Sequence, residues 1–136
     1  MSTVSRVFAG ILLITVVGIE FGGYFLLKIL RGQEPKIAPD SRTFSYFRAG
    51  HAHAGVLVIL ALVAMPYVDA IAAGAVLKMV IRVCFGAAPI LIPGGFFGGG
   101  AKLQDGRPGA LIALVYVGAL ALAAGVLILG VNLLHV

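Results

Sequence analysis

Charge is scarce in this sequence. Only 11% of its 136 residues are Asp, Glu, Lys or Arg, and 61% are hydrophobic. Soluble domains carry about 25% charged residues, so a surface facing water is excluded. A mean hydropathy of +1.12 makes the lipid bilayer the natural solvent. Cysteine is nearly absent as well. Cys84 stands alone, which excludes an internal disulfide and a cysteine-based zinc site. Its apolar setting, IRVCFGAAP, is that of a buried structural thiol. The net charge of +5 forms no basic stripe, so nucleic acid is excluded as a partner. The basic residues lie beside apolar runs, as topology signals and lipid-headgroup contacts do. The glycines from Gly94 to Gly100 lack a Gly-Lys-Ser/Thr ending and a preceding strand, which excludes a phosphate-binding loop.

What is present is a series of long apolar runs. A membrane helix needs about 20 apolar residues, and the pattern predicts spans over about 7–30, 42–65, 75–97 and 110–134. The expected fold is all-α: a single transmembrane domain over residues 1–136, built as a four-helix transmembrane bundle with short connections. The first run continues past the length of a signal-peptide core and lacks a small-x-small cleavage site, so it reads as a retained helix. Asp40 or Ser41 is the expected N-cap of the second helix, which should close near Pro66. Tyr46 and Tyr67 fit as interface anchors at its two ends. Lys78 and Arg82 are expected to snorkel to the interface. Pro89 and Pro93 should kink or end the third helix, leaving PGGFFGGG as a flexible exit. The spacing of Gly118, Ala121 and Gly125 predicts a close helix-packing or oligomer face. Basic residues concentrate in the loops after the first and third spans, which places both termini outside.

The polar residues inside the apolar runs carry the functional reading. Glu20 sits deep in VVGIEFGGYF, where an ionisable group is costly and must face a partner or cavity. It lies ten residues before Leu30, and His51 lies ten residues after Ser41, so each is about 15 Å from the same connection. Gly22 and Gly23 would let another helix approach beside Glu20. Arg48 and His51, at i and i+3, share a helix face. His53 is about 200° around the helix from His51 and points to another helix or another subunit, which argues for a homo-oligomer. Tyr24, one turn from Glu20, is placed either to hydrogen-bond it or to serve as an interface anchor. Asn132 reads as a cap or interface group, and His135 as a surface residue. In the structural alternative, Glu20 and Arg48 form a buried ion pair that fixes helix register.

EFGGYFLL at Glu20 to Leu27 and FRAGHAHAG at Phe47 to Gly55 together resemble a group of small bacterial four-span membrane proteins of unassigned function. That resemblance implies a helical bundle in a bacterial inner (plasma) membrane. His51-Ala52-His53 is also similar to the His-x-His near the start of a span in the haem-copper oxidase subunit I superfamily and its small relatives, which implies haem or metal ligation. Arg48-Ala49 resembles the Arg-Ala pair early in the second span of the trimeric MAPEG enzymes. The Asn and Glu that follow in that motif are missing here.

The leading expectation is therefore a metal- or haem-binding membrane protein. His51 and His53 would be its ligands to a transition metal or haem iron, Glu20 a further ligand or a base beside the ligands, Arg48 the charge partner, and Tyr24 a supporting hydrogen-bonder. Three alternatives stand beside it: a proton-coupled transporter or channel-like bundle, a non-catalytic assembly or structural subunit, and a MAPEG-like trimeric enzyme.

Overall fold

The computed structural model describes residues 1–135. Four long α-helices follow one another: α1 (Thr3–Leu30), α2 (Arg42–Ala70), α3 (Ala75–Ala101) and α4 (Ala113–Leu134), the last preceded by a single 3₁₀ turn at Ala110–Ile112. There is no sheet among the described residues, and each of the four helical segments is long and apolar enough to cross a membrane. At 28 residues, α1 is about 42 Å long, which exceeds the roughly 30 Å hydrocarbon core.

The helix ends are set by local chemistry. Ser2 caps α1 by accepting a hydrogen bond from the Ser5 amide at 3.1 Å, and Ser41 caps α2 by accepting from the Phe44 amide at 3.2 Å. α1 stops in a Schellman motif. Gly32 takes a left-handed φ of +68°, its amide reaches the Ile29 carbonyl, and the Gln33 amide reaches the Lys28 carbonyl. In the α3–α4 connection, Asp105 and Gly106 both have positive φ between Gln104 and Arg107, whose backbones pair, as in a type I′ turn. Arg42 at the start of α2 donates to the Gly106 carbonyl at 3.0 Å, so the two longer loops lie together at one end of the bundle. The chain start and the tight α2–α3 turn occupy the other end, here called the terminal end.

The prolines do not end their helices. Pro66 lies within α2, which continues to Ala70, and Pro89 and Pro93 lie within α3, which continues to Ala101. Each proline forfeits one ladder hydrogen bond, and membrane helices tolerate this where neighbouring structure re-satisfies the backbone. PGGFFGGG is consequently not a flexible exit but the last turns of α3. Its glycines are where α4 and α2 come close. A Cβ at Gly95 would sit 2.7 Å from the Val115 amide nitrogen, and one at Gly100 would sit 2.5 Å from Tyr46 Cβ. Gly118 and Gly125 of α4 return the approach against Ile92 and Cys84. Lipid tails are as apolar as leucine, so this close packing replaces the hydrophobic effect as the force holding the helices together.

α2 and α3 form the central pair. α1 packs mainly on α2, α4 mainly on α3, and α1 and α4 make no contact with each other. The two outer helices therefore occupy opposite grooves of the central pair. Leu12, Val58, Ala61, Met65, Ile81 and Phe85 form the main core. Leu26, Ile29, Phe44 and Phe47 form a second cluster near the long loops, with the Phe47 and Phe97 rings 5.3 Å apart.

Candidate functional site

The mid-membrane polar residues are not gathered inside the bundle. His51 is the one that packs between helices. Its ring lies over Gly22 and Gly23 of α1, so that a Cβ at Gly23 would stand 3.3 Å from Nε2. The glycines beside Glu20 do allow a close approach, and His51 fills it. Glu20 itself is exposed on the outer flank of α1. Among the described residues no ion pair reaches it, the single salt bridge being Arg82–Asp69. Arg48 is exposed too, with its guanidinium carbon 5.8 Å from the centre of the Phe44 ring. Tyr24 is 58% exposed and lies against Phe21, with ring centres 6.5 Å apart. It is not bonded to Glu20. His53 faces the other way, as the spacing predicts. Its Nδ1 is 2.7 Å from the Ala49 carbonyl oxygen, and its ring packs at 5.0 Å on Phe96.

The metal- or haem-binding expectation is therefore corrected. Among the described residues, no three His, Cys, Asp or Glu side chains come close enough to hold a metal ion. His51, His53 and Glu20 lie on three separate faces, and Arg48 pairs with none of them. The cause is geometric. Helical side chains lean toward the N-terminus of their own helix. α1 and α2 are antiparallel, so Glu20 leans toward the terminal end while Arg48 and His51 lean toward the long loops. Residues at equal depth on such a pair diverge. Arg48 ends over Phe44, one turn closer to the interface, where its charge can reach headgroups.

The polar cluster that does form is at the terminal end, and sequence reasoning missed it. Arg82 is 5% exposed and does not snorkel. Its Nη2 lies 2.6 Å from Asp69 Oδ1, and its Nε donates to Ser5 Oγ at 2.9 Å. Asp69 also accepts from the Ser2 amide at 2.6 Å, from Ser2 Oγ at 2.8 Å and from Ser5 Oγ at 2.9 Å. Lys78 donates to the Asp69 carbonyl oxygen at 2.9 Å and so satisfies an orphan carbonyl in the last turn of α2. Here the lean of the side chains helps. Arg82 points back along α3 toward the terminal end, where the last turn of α2 supplies the carboxylate. The signal was an acid in the last turn of one helix and a base near the start of the next, joined by a tight turn. The cluster ties α1, α2 and α3 together, and among the described residues no buried side-chain nitrogen or oxygen is left without a partner. It is a clamp between helix ends.

Three recesses lie along the helix seams. A recess of about 310 Å³ between α1 and α3, lined by Phe8, Leu12, Ile19, Val83 and Ile90, is apolar. A groove of about 570 Å³ bordered by Leu26, Leu30, Phe44, Arg48 and His51 opens outward along the α1–α2 seam. A third, of about 430 Å³, runs between α2 and α4 and has His53, Phe96, Val115 and Ala119 on its walls. Between the terminal clamp and the level of His51, the core is built of Leu12, Val58, Ala61, Met65 and Phe85. Asn132 donates to its own helix, to the Ile128 carbonyl at 2.8 Å, and His135 is exposed. No family model matches the chain, no characterised protein is significantly similar to it in sequence, and no solved structure is significantly similar to it in fold.

Proposed function

We propose that the protein is a non-catalytic assembly subunit, a helical bundle that associates with further copies of itself in a bacterial inner membrane. One observation carries the reading: Glu20 is exposed at membrane depth with no partner among the described residues. Lying ten residues from the end of α1, it is about 15 Å along the helix axis, too far in for a short carboxylate side chain to reach the headgroups. An acidic group at the centre of a helix facing lipid costs about 2.5–3.5 kcal/mol on insertion scales. Contact with a polar group of another chain removes that penalty. The unshared flanks of α1 and α4 support the same reading, because each outer helix leaves a long face free for a neighbour.

The test is native mass spectrometry of the full chain released from a mild detergent, alongside the Glu20→Gln variant. A discrete oligomer that loosens in the variant is the expected result. A wild-type monomer at all accessible concentrations refutes the reading.

A further inference from the structure

We infer that the partner of Glu20 is His53 of an adjacent copy, in a head-to-tail contact that closes into a ring. This rests on the assembly reading and specifies its interface.

The first argument is depth. The His51 ring lies over Gly22 and Gly23, which fixes the register of α2 against α1. The helices are antiparallel and each rises about 1.5 Å per residue. Stepping from His51 to His53 along α2 therefore corresponds to stepping back along α1 from Gly22–Gly23 to Glu20–Phe21. The backbones of His53 and Glu20 share one level in the membrane. Copies inserted in the same orientation keep that level, so the opposite lean of the two side chains is the offset that the Glu20 stem has to cross.

The second argument is position around the bundle. Glu20 lies on the outer flank of α1, whereas His53 borders the groove between α2 and α4. α1 and α4 occupy opposite grooves of the central pair and do not touch. The two residues cannot meet within one chain. Two different patches meeting across copies make a heterologous interface, which closes into a ring when the rotation permits. The α2–α4 groove includes Ala119 and Ala123 among its lining residues, and such small side chains admit a helix closely. The incoming α1 offers Val17 and Phe21, which are 68% and 72% exposed.

The third argument is chemistry. The Ala49 carbonyl can only accept, so the Nδ1 that lies 2.7 Å from it carries the hydrogen. Nε2 is then the free atom of a ring held in place on Phe96. A neutral Nε2 accepts from a protonated Glu20, and a protonated Nε2 donates to the carboxylate. A single proton lies between the two groups in either case, and neither remains bare in lipid. The exposed polar groups at this depth thus satisfy each other.

The test is cross-linking in the full chain, carried out in native membranes in a Cys84→Ala background. Glu20→Cys and His53→Cys are made singly and together, and a short bis-maleimide is the probe. Each single variant alone should give no dimer, co-expressed single variants should give dimers, and the double variant should give a ladder that stops at the ring number. In detergent, Glu20→Gln and His53→Ala should each weaken association by roughly tenfold, the scale of one interhelical hydrogen bond. The exchange Glu20→His with His53→Glu should restore it. A discrete oligomer in which the two cysteines never cross-link and the exchange does not rescue overturns this interface and leaves the assembly reading standing. Glu20→Cys alone forming dimers overturns the head-to-tail arrangement. Cross-linking only to a different chain overturns the second copy as partner, and a strict monomer overturns both proposals.

Discussion

Arg82→Met tests whether the terminal clamp holds three helices together. The variant loses the 2.6 Å ion pair to Asp69 and the 2.9 Å bond to Ser5 Oγ. Removing one partner of a buried pair costs about 3–5 kcal/mol. Asp69 keeps its bonds from the Ser2 amide, Ser2 Oγ and Ser5 Oγ, and its side chain retains 18% exposure. Those groups still solvate the carboxylate, which places Arg82→Met at the low end, about 3 kcal/mol. Asp69→Leu is the harsher change. It leaves a guanidinium at 5% exposure with two hydroxyls as its only acceptors, so about 4–5 kcal/mol is expected. The double variant removes both charges and fills the space with apolar side chains, and it should lose less than either single variant, below about 2 kcal/mol. Reversible unfolding in mixed detergent micelles, followed by helical circular dichroism, gives all three values. Single losses under about 1 kcal/mol, or a double loss equal to the sum, would refute the claim that the pair acts as one buried unit.

Packing on glycine gives a second set of outcomes. Gly95→Ala places a Cβ 2.7 Å from backbone at Val115, which cannot yield as a side chain would, and should cost about 1–3 kcal/mol. Gly10→Ala meets nothing within 4 Å and should be neutral or stabilising by up to about 1 kcal/mol; the same unfolding experiment separates them, and equal effects would contradict the packing argument. Gly23→Leu should push His51 off α1, because even a Cβ there stands 3.2 Å from the ring; a cysteine pair placed across α1 and α2 should then cross-link less, and unchanged yield would show that the ring is free to move. Arg48→Met removes one exposed cation–π contact with Phe44 worth about 0.5–1 kcal/mol and should leave oligomer size unchanged in native mass spectrometry; loss of the oligomer would place Arg48, and not His53, opposite Glu20.

The helices were legible because a bilayer demands long apolar runs, and such runs are visible without any partner. Helix ends were less so. Pro66 reads as a terminus in a list of residues, yet α2 passes through it for another turn. A proline's effect on a helix is settled by what packs around it, which only the assembled bundle shows. PGGFFGGG failed for a related reason. Glycine is both the residue of flexible loops and the residue that lets helices touch, and the sequence alone does not say which neighbour, here Val115 or Tyr46, stands opposite.

The site divides along a different line. Depth in the membrane follows from counting residues, and by that count Glu20, His51 and His53 do belong to one layer. Azimuth does not follow. In a soluble helix the apolar stripe identifies the buried face, but here lipid and protein interior are both apolar and the stripe vanishes. Glu20 was accordingly placed beside Arg48 and His51 from depth alone, when the antiparallel lean of the side chains separates them. Arg82 and Asp69 show the converse. Each sits near a helix end, where a snorkelling charge and a buried pair leave the same trace in the sequence, so the one ion pair of the described structure went unseen. A polar residue near a span end thus carries little information by itself, whereas one at mid-depth must be satisfied somewhere. When the chain's own fold turns such a residue outward, as it does Glu20, the assembly proposal assigns the demand to a neighbouring molecule. That is why a residue with no ion pair among the described residues carries more of the functional argument than the clamp at the bundle's end.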